Sequence, residues 1–177
     1  MYSERKVILY IAMSLDGLIA GANDSLDFLS LVEKKGEDYG YGKFTESVDT
    51  VIMGRKTYDK VCSMGVENPH PNKKLFIITR TPKSAIDNIE YFTGNIIDLI
   101  SELKQRNGKN IFVDGGAEIV NILLKQNLID EFYISIIPII LGSGISLFQQ
   151  PLPELNLKLV DSKQFESGLV QIHYSRG

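Results

Sequence analysis

A strand, a glycine pair and a helix follow one another directly in residues 109–125, KNIFVDGGAEIVNILLK. Ile111, Phe112 and Val113 form a short unbroken apolar run, the pattern of a strand buried on both faces of a parallel sheet. Asp114-Gly115-Gly116 breaks that run. Ile119, Val120, Leu123 and Leu124 then recur at helical spacing, with polar Glu118, Asn121 and Lys125 between them. A strand that ends in two glycines where a helix begins presents free backbone N–H groups and the positive end of a helix dipole. Backbone without Cβ atoms can come close to a ligand, and a phosphate is the natural guest. The same glycines also suffice for a tight turn. This stretch alone leaves both readings open.

The other strands give the element its setting. Lys6–Met13 is a β-rich run that must be largely buried, and it leads into Ser14-Leu15-Asp16-Gly17-Leu18-Ile19-Ala20-Gly21, where Asp-Gly signals a turn. The apolar Leu18, Ile19 and Ala20 either cover a flat ring or pack on the domain's own core. Asp38–Val48 has the pattern of a helix carrying Tyr39, Tyr41 and Phe44. Thr50–Met53 and Lys74–Thr79 are strands, and Ile89–Phe92 is a short one. Residues 63–72, with Gly65, Pro69 and Pro71, form a surface loop between them. Asn95 caps a helix lined by Ile96, Leu99, Ile100 and Leu103, and Gly108 stops it. Asp130–Leu141 forms a long strand. Leu157–Phe165 and Leu169–Tyr174 form two more, joined by a hairpin at Glu166-Ser167-Gly168. Alternating strands and helices closed by antiparallel strands predict a mixed α/β sheet with helices on both faces.

With 177 residues, the chain is expected to be one domain spanning 1–177. A formal charge of -3 offers no footprint for nucleic acid. The N-terminal apolar run is strand-sized and lacks a cleavage site, so no signal peptide is expected. Phe132–Gly142 contains Pro138 and is too short for a bilayer, so no membrane span is expected either. The single Cys62, read as an inert thiol, fits a reducing, cytoplasmic setting. His70 and His173 are the only histidines, which leaves no metal-ligand cluster.

Asp27 is a lone carboxylate among Leu26, Phe28, Leu29 and Leu31. Burial there would make it a proton handler, while the commoner role for such an Asp is to cap a helix or turn. Three strand ends carry further chemistry. Gly54-Arg55-Lys56-Thr57 sets cations at a helix start, where they are unfavourable unless an anion pairs with them. Thr79-Arg80-Thr81 sets hydroxyls beside a guanidinium, suited to a phosphate monoester. With Gly115-Gly116-Ala117-Glu118, these lie at the carboxyl ends of three strands, outside which open parallel sheets bind ligands. Together they suit a dinucleotide with a pyrophosphate and an additional ribose phosphate, which favours the ligand reading of the glycine pair.

At this point Met13–Gly21, Met53-Gly54-Arg55-Lys56-Thr57-Tyr58, Asp114-Gly115-Gly116 and Asp130–Phe148 resemble the riboflavin-biosynthesis (RibD) C-terminal reductase domain, part of the dihydrofolate reductase-like superfamily. The resemblance runs in order over nearly the whole chain. It implies a central, mostly parallel sheet of about eight strands with an antiparallel C-terminal hairpin, and it implies NADPH. Ala12 and Ile19, Ala20 and Gly21 would flank the nicotinamide. Gly54, Arg55, Lys56 and Thr57, with Gly115, Gly116, Ala117, Glu118 and Ile119, would hold the pyrophosphate. Thr79, Arg80 and Thr81 would take the ribose and its 2′-phosphate. The resemblance further implies a cis link at Gly115–Gly116 and a homodimer. The chain lacks the H-x-E and P-C-x-x-C of a deaminase half. The expected activity is an NADPH-dependent reductase passing hydride to a small pterin- or pyrimidine-like acceptor, with the proton supplied by Asp27 through a water or by solvent alone. The competing readings are a non-catalytic NADP(H)-binding protein and a flavin-binding protein.

Overall fold

The computed structural model describes residues 4–177; Met1–Ser3, the head of the segment in which no signal peptide is expected, lie outside them. Chain order runs β1 (Val7–Ser14), β2 (Leu18–Ala20), α1 (Tyr41–Glu46), β3 (Val48–Gly54), α2 (Arg55–Ser63), β4 (Lys74–Ile78), β5 (Ile89–Phe92) and α3 (Ile96–Gln105). It continues through β6 (Asn110–Gly115), α4 (Ala117–Lys125), β7 (Glu131–Ile137), β8 (Ile145–Ser146), β9 (Leu157–Gln164) and β10 (Val170–Arg176). Eight strands make one sheet in the order β5-β4-β3-β6-β1-β7-β10-β9. The pairings from β5 to β7 are parallel, and β10 joins β7 and β9 antiparallel. The mixed sheet with its C-terminal hairpin is the architecture the strand pattern predicts.

Alternation along the strands divides the core between two faces. Val7 and Leu9 of β1, Ile111 and Val113 of β6 and Ile52 of β3 pack with Leu99, Ile100 and Leu103 of α3 and Val120 and Leu123 of α4. Ile8, Phe112, Val51, Met53, Leu75 and Ile77 point the other way, beneath Phe44 of α1 and Tyr58 of α2. Each fully buried side chain of this size contributes roughly 1.5–3 kcal/mol relative to exposure. Helices therefore cover both faces. Asn95 caps α3 as expected, its side chain accepting from the Ile97 N–H at 2.8 Å.

Local geometry shortens two elements relative to the sequence pattern. The helix expected over 38–48 is confined to α1, because Tyr39 and Gly40 have φ of 56° and 80°. The Asp38 carboxylate accepts instead from the N–H groups of Gly40 and Gly42, at 2.9 and 3.0 Å. The long strand expected to Leu141 stops at Ile137, because Pro138 has no N–H to give to a ladder. Asn121, read from its spacing as a polar face position, is buried. Its amide donates to the carbonyls of Ala117 and Leu147 at 2.6 and 2.8 Å, and its oxygen accepts from Gln149 N–H at 2.8 Å. The surface loop after α2 turns inward at one point, where His70 is 6% exposed. No helix among the described residues is long and apolar enough to cross a membrane.

Candidate functional site

The chain leaves β3 for β4 on one side and leaves β6 for β7 on the other. The intervening α2 and α4 accordingly lie on opposite faces, and a crevice opens between the carboxyl ends of β3 and β6, the point where such sheets take ligands. Gly54 precedes α2 and Gly116 precedes α4, and neither helix start has a side-chain cap. Their first-turn N–H groups are thus left for an outside acceptor. The junctions are in direct contact. A Cβ on Gly54 would lie 3.2 Å from Ile119 Cγ1 and 3.5 Å from the Gly116 nitrogen, and one on Gly116 would lie 2.8 Å from Thr57 Oγ1. Gly115 has φ +110°, which glycine alone adopts readily, and the Gly115–Gly116 peptide is cis. The structure thus brings Gly54–Thr57 and Gly115–Ile119 together. Ala117 and Ile119 bury their side chains in the core, so they can offer a ligand only backbone.

The end of β4 adjoins this crevice through its pairing with β3. Thr79 Oγ1 accepts from the Thr81 N–H at 3.1 Å, shaping the turn that carries Arg80. Arg80 is 95% exposed and reaches Glu118 across the crevice at 3.5 Å. Arg55 pairs with Asp59 one turn along α2 at 3.0 Å, and Lys56 is exposed. Cationic side chains therefore edge the start of α2 and the end of β4, with Arg55 and Arg80 in exposed ion pairs.

The third wall is the loop after β1. Leu18–Ala20 forms β2, which pairs antiparallel with β8, a ribbon the sequence pattern does not reveal. Asp16 fastens it. Its carboxylate accepts from Ser14 Oγ at 2.6 Å and from the N–H groups of Leu141 and Gly142 at 3.1 and 2.8 Å. These bonds, the Ser14 hydroxyl first, hold its carboxyl down at about 2. Ala20 is buried, while Ala12 and Ile19 stay partly open at the crevice end of β1.

Beside Ala12 lies an open cavity of about 780 Å³. Tyr10, Ala12, Ser135 and Ile137 form its floor, and Leu29, Val32, Tyr39 and Tyr41 form its walls. Ala12 and Ser135 are register partners on β1 and β7, and Ser135 and Gln171 are partners on β7 and β10. Burial, and next the charge of Asp114, push the Tyr41 phenol up, so it stays protonated as a donor. Sequence reasoning missed this floor, since Ser135 and Gln171 carry no local signature.

Asp27 meets neither of its two readings, buried proton handler or cap. It is exposed rather than buried, it opens a 3-10 turn over Asp27–Val32 without a side-chain cap bond, and it is not part of the cavity wall. The turn instead buries Phe28 and Val32, which pack with Ile137 and Leu169. A second pair went unread: His70 Nε2 lies 2.7 Å from Asp114 Oδ2, just before the glycine pair.

This sheet order is that of the dihydrofolate reductase-like fold. The dihydrofolate reductase of Enterococcus faecalis, solved with NADP(H), superposes with a TM-score of 0.68 at 14% identity, covering 100% of this chain and 99% of that one. The chain belongs to the RibD C-terminal domain family, whose model matches residues 5–171. It is 44% identical to the uncharacterised protein YwjB of Bacillus subtilis (strain 168) over 174 residues, 98% of this chain and 99% of that protein. A solved Shewanella sp. PV-4 protein, assigned by name to riboflavin biosynthesis, is 33% identical with a TM-score of 0.89, covering 97% and 99% of the two chains.

Proposed function

We propose that this protein is a single-domain NADPH-dependent oxidoreductase that passes hydride to a small heterocyclic acceptor of pterin or pyrimidine type. The observation that carries the proposal is the contact of two uncapped helix starts at Gly54 and Gly116, where added Cβ atoms would meet Ile119 and Thr57. A cradle of bare N–H groups edged by Arg55, Lys56 and Arg80 fits a pyrophosphate with a further phosphate beside it. In this reading the backbone of Gly54–Thr57 and Gly115–Ile119 holds the pyrophosphate. Thr79, Arg80 and Thr81 take the ribose and 2′-phosphate, and Ala12 and Ile19–Gly21 flank the nicotinamide. The reduced nicotinamide supplies the hydride when bound.

The protein's part is to orient and to exclude. The loop pinned by Asp16 covers one side of the ring, and the cavity next to Ala12 receives the acceptor. We assign the accompanying proton to water in the open cavity, with Asp27 as the rival donor. The all-exposed edge strand β9, bearing Leu157, Leu159 and Val160, supports a homodimer, which light scattering on the purified protein would test. We place the protein in the cytoplasm, in keeping with free Cys62.

A paired titration of NADPH and NADH, read by nicotinamide fluorescence, tests the proposal. Tight binding with preference for NADPH, followed by acceptor-dependent oxidation, is expected. Binding without oxidation by any acceptor would leave a nucleotide-binding protein without turnover, and binding of neither would remove the cofactor assignment.

A further inference from the structure

Charge is segregated between the two ends of the crevice. Arg55, Lys56 and Arg80 stand at the helix starts and the end of β4. The rim of the cavity beside Ala12 carries Glu33, Glu37 and Asp38 against Lys34 and Lys35. Lys34 is already paired with Glu166. The N–H groups of Gly40 and Gly42 hold the Asp38 carboxyl below the usual range. With Lys34 taken up by Glu166, the carboxylates of Glu33, Glu37 and Asp38 outnumber Lys35 around this opening.

The floor is equally particular. The Tyr39 carbonyl can only accept, and it lies 3.3 Å from Gln171 Nε2, which fixes which end of that amide faces inward. The same nitrogen lies 3.0 Å from Tyr10 Oη and 3.1 Å from Ser135 Oγ. The Tyr10 proton is committed to the Tyr39 carbonyl at 3.0 Å. The Gln171 nitrogen has two protons for these three neighbours and cannot accept, so Ser135 does not donate to it, and among the described residues the Ser135 hydroxyl donates to nothing. Its hydroxyl proton is left for the cavity that it lines.

We infer that this cavity takes a phosphate-free heterocycle, neutral or cationic, whose ring carbonyl or ring nitrogen accepts a hydrogen bond from Ser135. The inference rests on the acceptor cavity named under the proposed function. The aromatic lining of Tyr10, Tyr39 and Tyr41 suits a flat ring, and the cavity volume suits a molecule of that class. A phosphate carried out to the rim would meet Glu33, Glu37 and Asp38, whose like charges repel it. Ser135 is thus a specificity-determining residue, and the anion-binding capacity of the site is confined to the cofactor end.

Calorimetric titration of the purified protein with two matched pairs tests this. One pair is 6-hydroxymethyl-7,8-dihydropterin and its pyrophosphate ester; the other is 5-amino-6-ribosylaminouracil and its 5′-phosphate. At least one phosphate-free member is expected to bind, roughly tenfold or more tightly than its phosphorylated partner. Ser135→Ala should weaken that binding roughly three- to tenfold, the worth of one hydrogen bond, without moving NADPH affinity, and a thermal melt confirms that the variant is folded at the titration temperature. Equal or tighter binding of a phosphorylated member, binding of none of the four, or an unaffected Ser135→Ala protein would overturn the inference. NADPH titrated into the same preparations separates the two ideas. Loss of NADPH binding alone would overturn the hydride-transfer reading and leave the cavity result standing.

Discussion

A Cβ on Gly116 would stand 2.8 Å from Oγ1 of Thr57, so helices on opposite faces of the sheet begin in contact. Gly116 has φ −79° and ψ −165°, a conformation open to any residue, so what excludes a side chain is the neighbour and not the backbone. Gly116→Val should therefore fold but close the cradle. Losing two hydrogen bonds to a charged phosphate, at roughly 1.5–3 kcal/mol each, weakens NADPH about 10²-fold or more. Fluorescence titration beside a thermal melt checks it. Unchanged affinity would show that the glycines serve only the turn.

Arg80 and Glu118 face each other at 3.5 Å with 95% and 68% of their side chains exposed. Such a pair adds little stability, about 0–1 kcal/mol, so its placement calls for another explanation. Arg80→Ala should leave the melt within about 0.5 kcal/mol of wild type. It should weaken NADPH roughly tenfold while leaving NADH alone, since only NADPH carries the 2′-phosphate. Equal losses for both cofactors would remove Arg80 from the 2′-phosphate site.

What could be read in advance follows from sequence distance. The strand at Ile111–Val113, the Asn95 cap and the cationic start of α2 are local patterns, set by alternation, capping and charge within a few residues. That their strand ends meet also follows from the rule for parallel sheets, and Gly54, Thr57 and Gly116 do meet. The β2–β8 ribbon, the His70–Asp114 pair and the Ser135–Gln171 floor join residues far apart in the chain. No period or propensity marks such partners. The exposure of Asp27 was hidden for a related reason. Its apolar neighbours suggested a buried segment, but a 3-10 turn distributes its side chains all round its axis; Phe28 and Val32 took the core side and the carboxylate the water side.

Asp27 is consequently a poor candidate for the proton. General acids supply roughly 10²–10⁴-fold in rate when they reach the reacting group, and this carboxylate is exposed and absent from the cavity wall. Asp27→Asn is expected to keep turnover within about twofold of wild type. Steady-state kinetics with a saturating acceptor decide the matter. A loss of tenfold or more, with NADPH affinity intact, would restore Asp27 as the donor.

Asp16 should govern the loop rather than the chemistry. Its carboxyl is held at about 2 against an ordinary 3.8, by Ser14 Oγ and the N–H groups of Gly142 and Leu141. A carboxyl whose folded pKa is depressed stabilises the fold above its unfolded pKa and stops doing so as pH falls through the folded one. The contribution is therefore full from neutrality down to about pH 4 and fades towards pH 2. Asp16→Asn keeps the shape but discards the charge that those donors favour. Amide exchange at Leu141 and Gly142 should quicken, and NADPH affinity should fall several-fold as residues 19–21 loosen. The stability difference between wild type and variant should stay constant from pH 7 to about pH 4 and shrink below it. A difference that grew on acidification would mean that Asp16 is not the ionised clasp of these two loops.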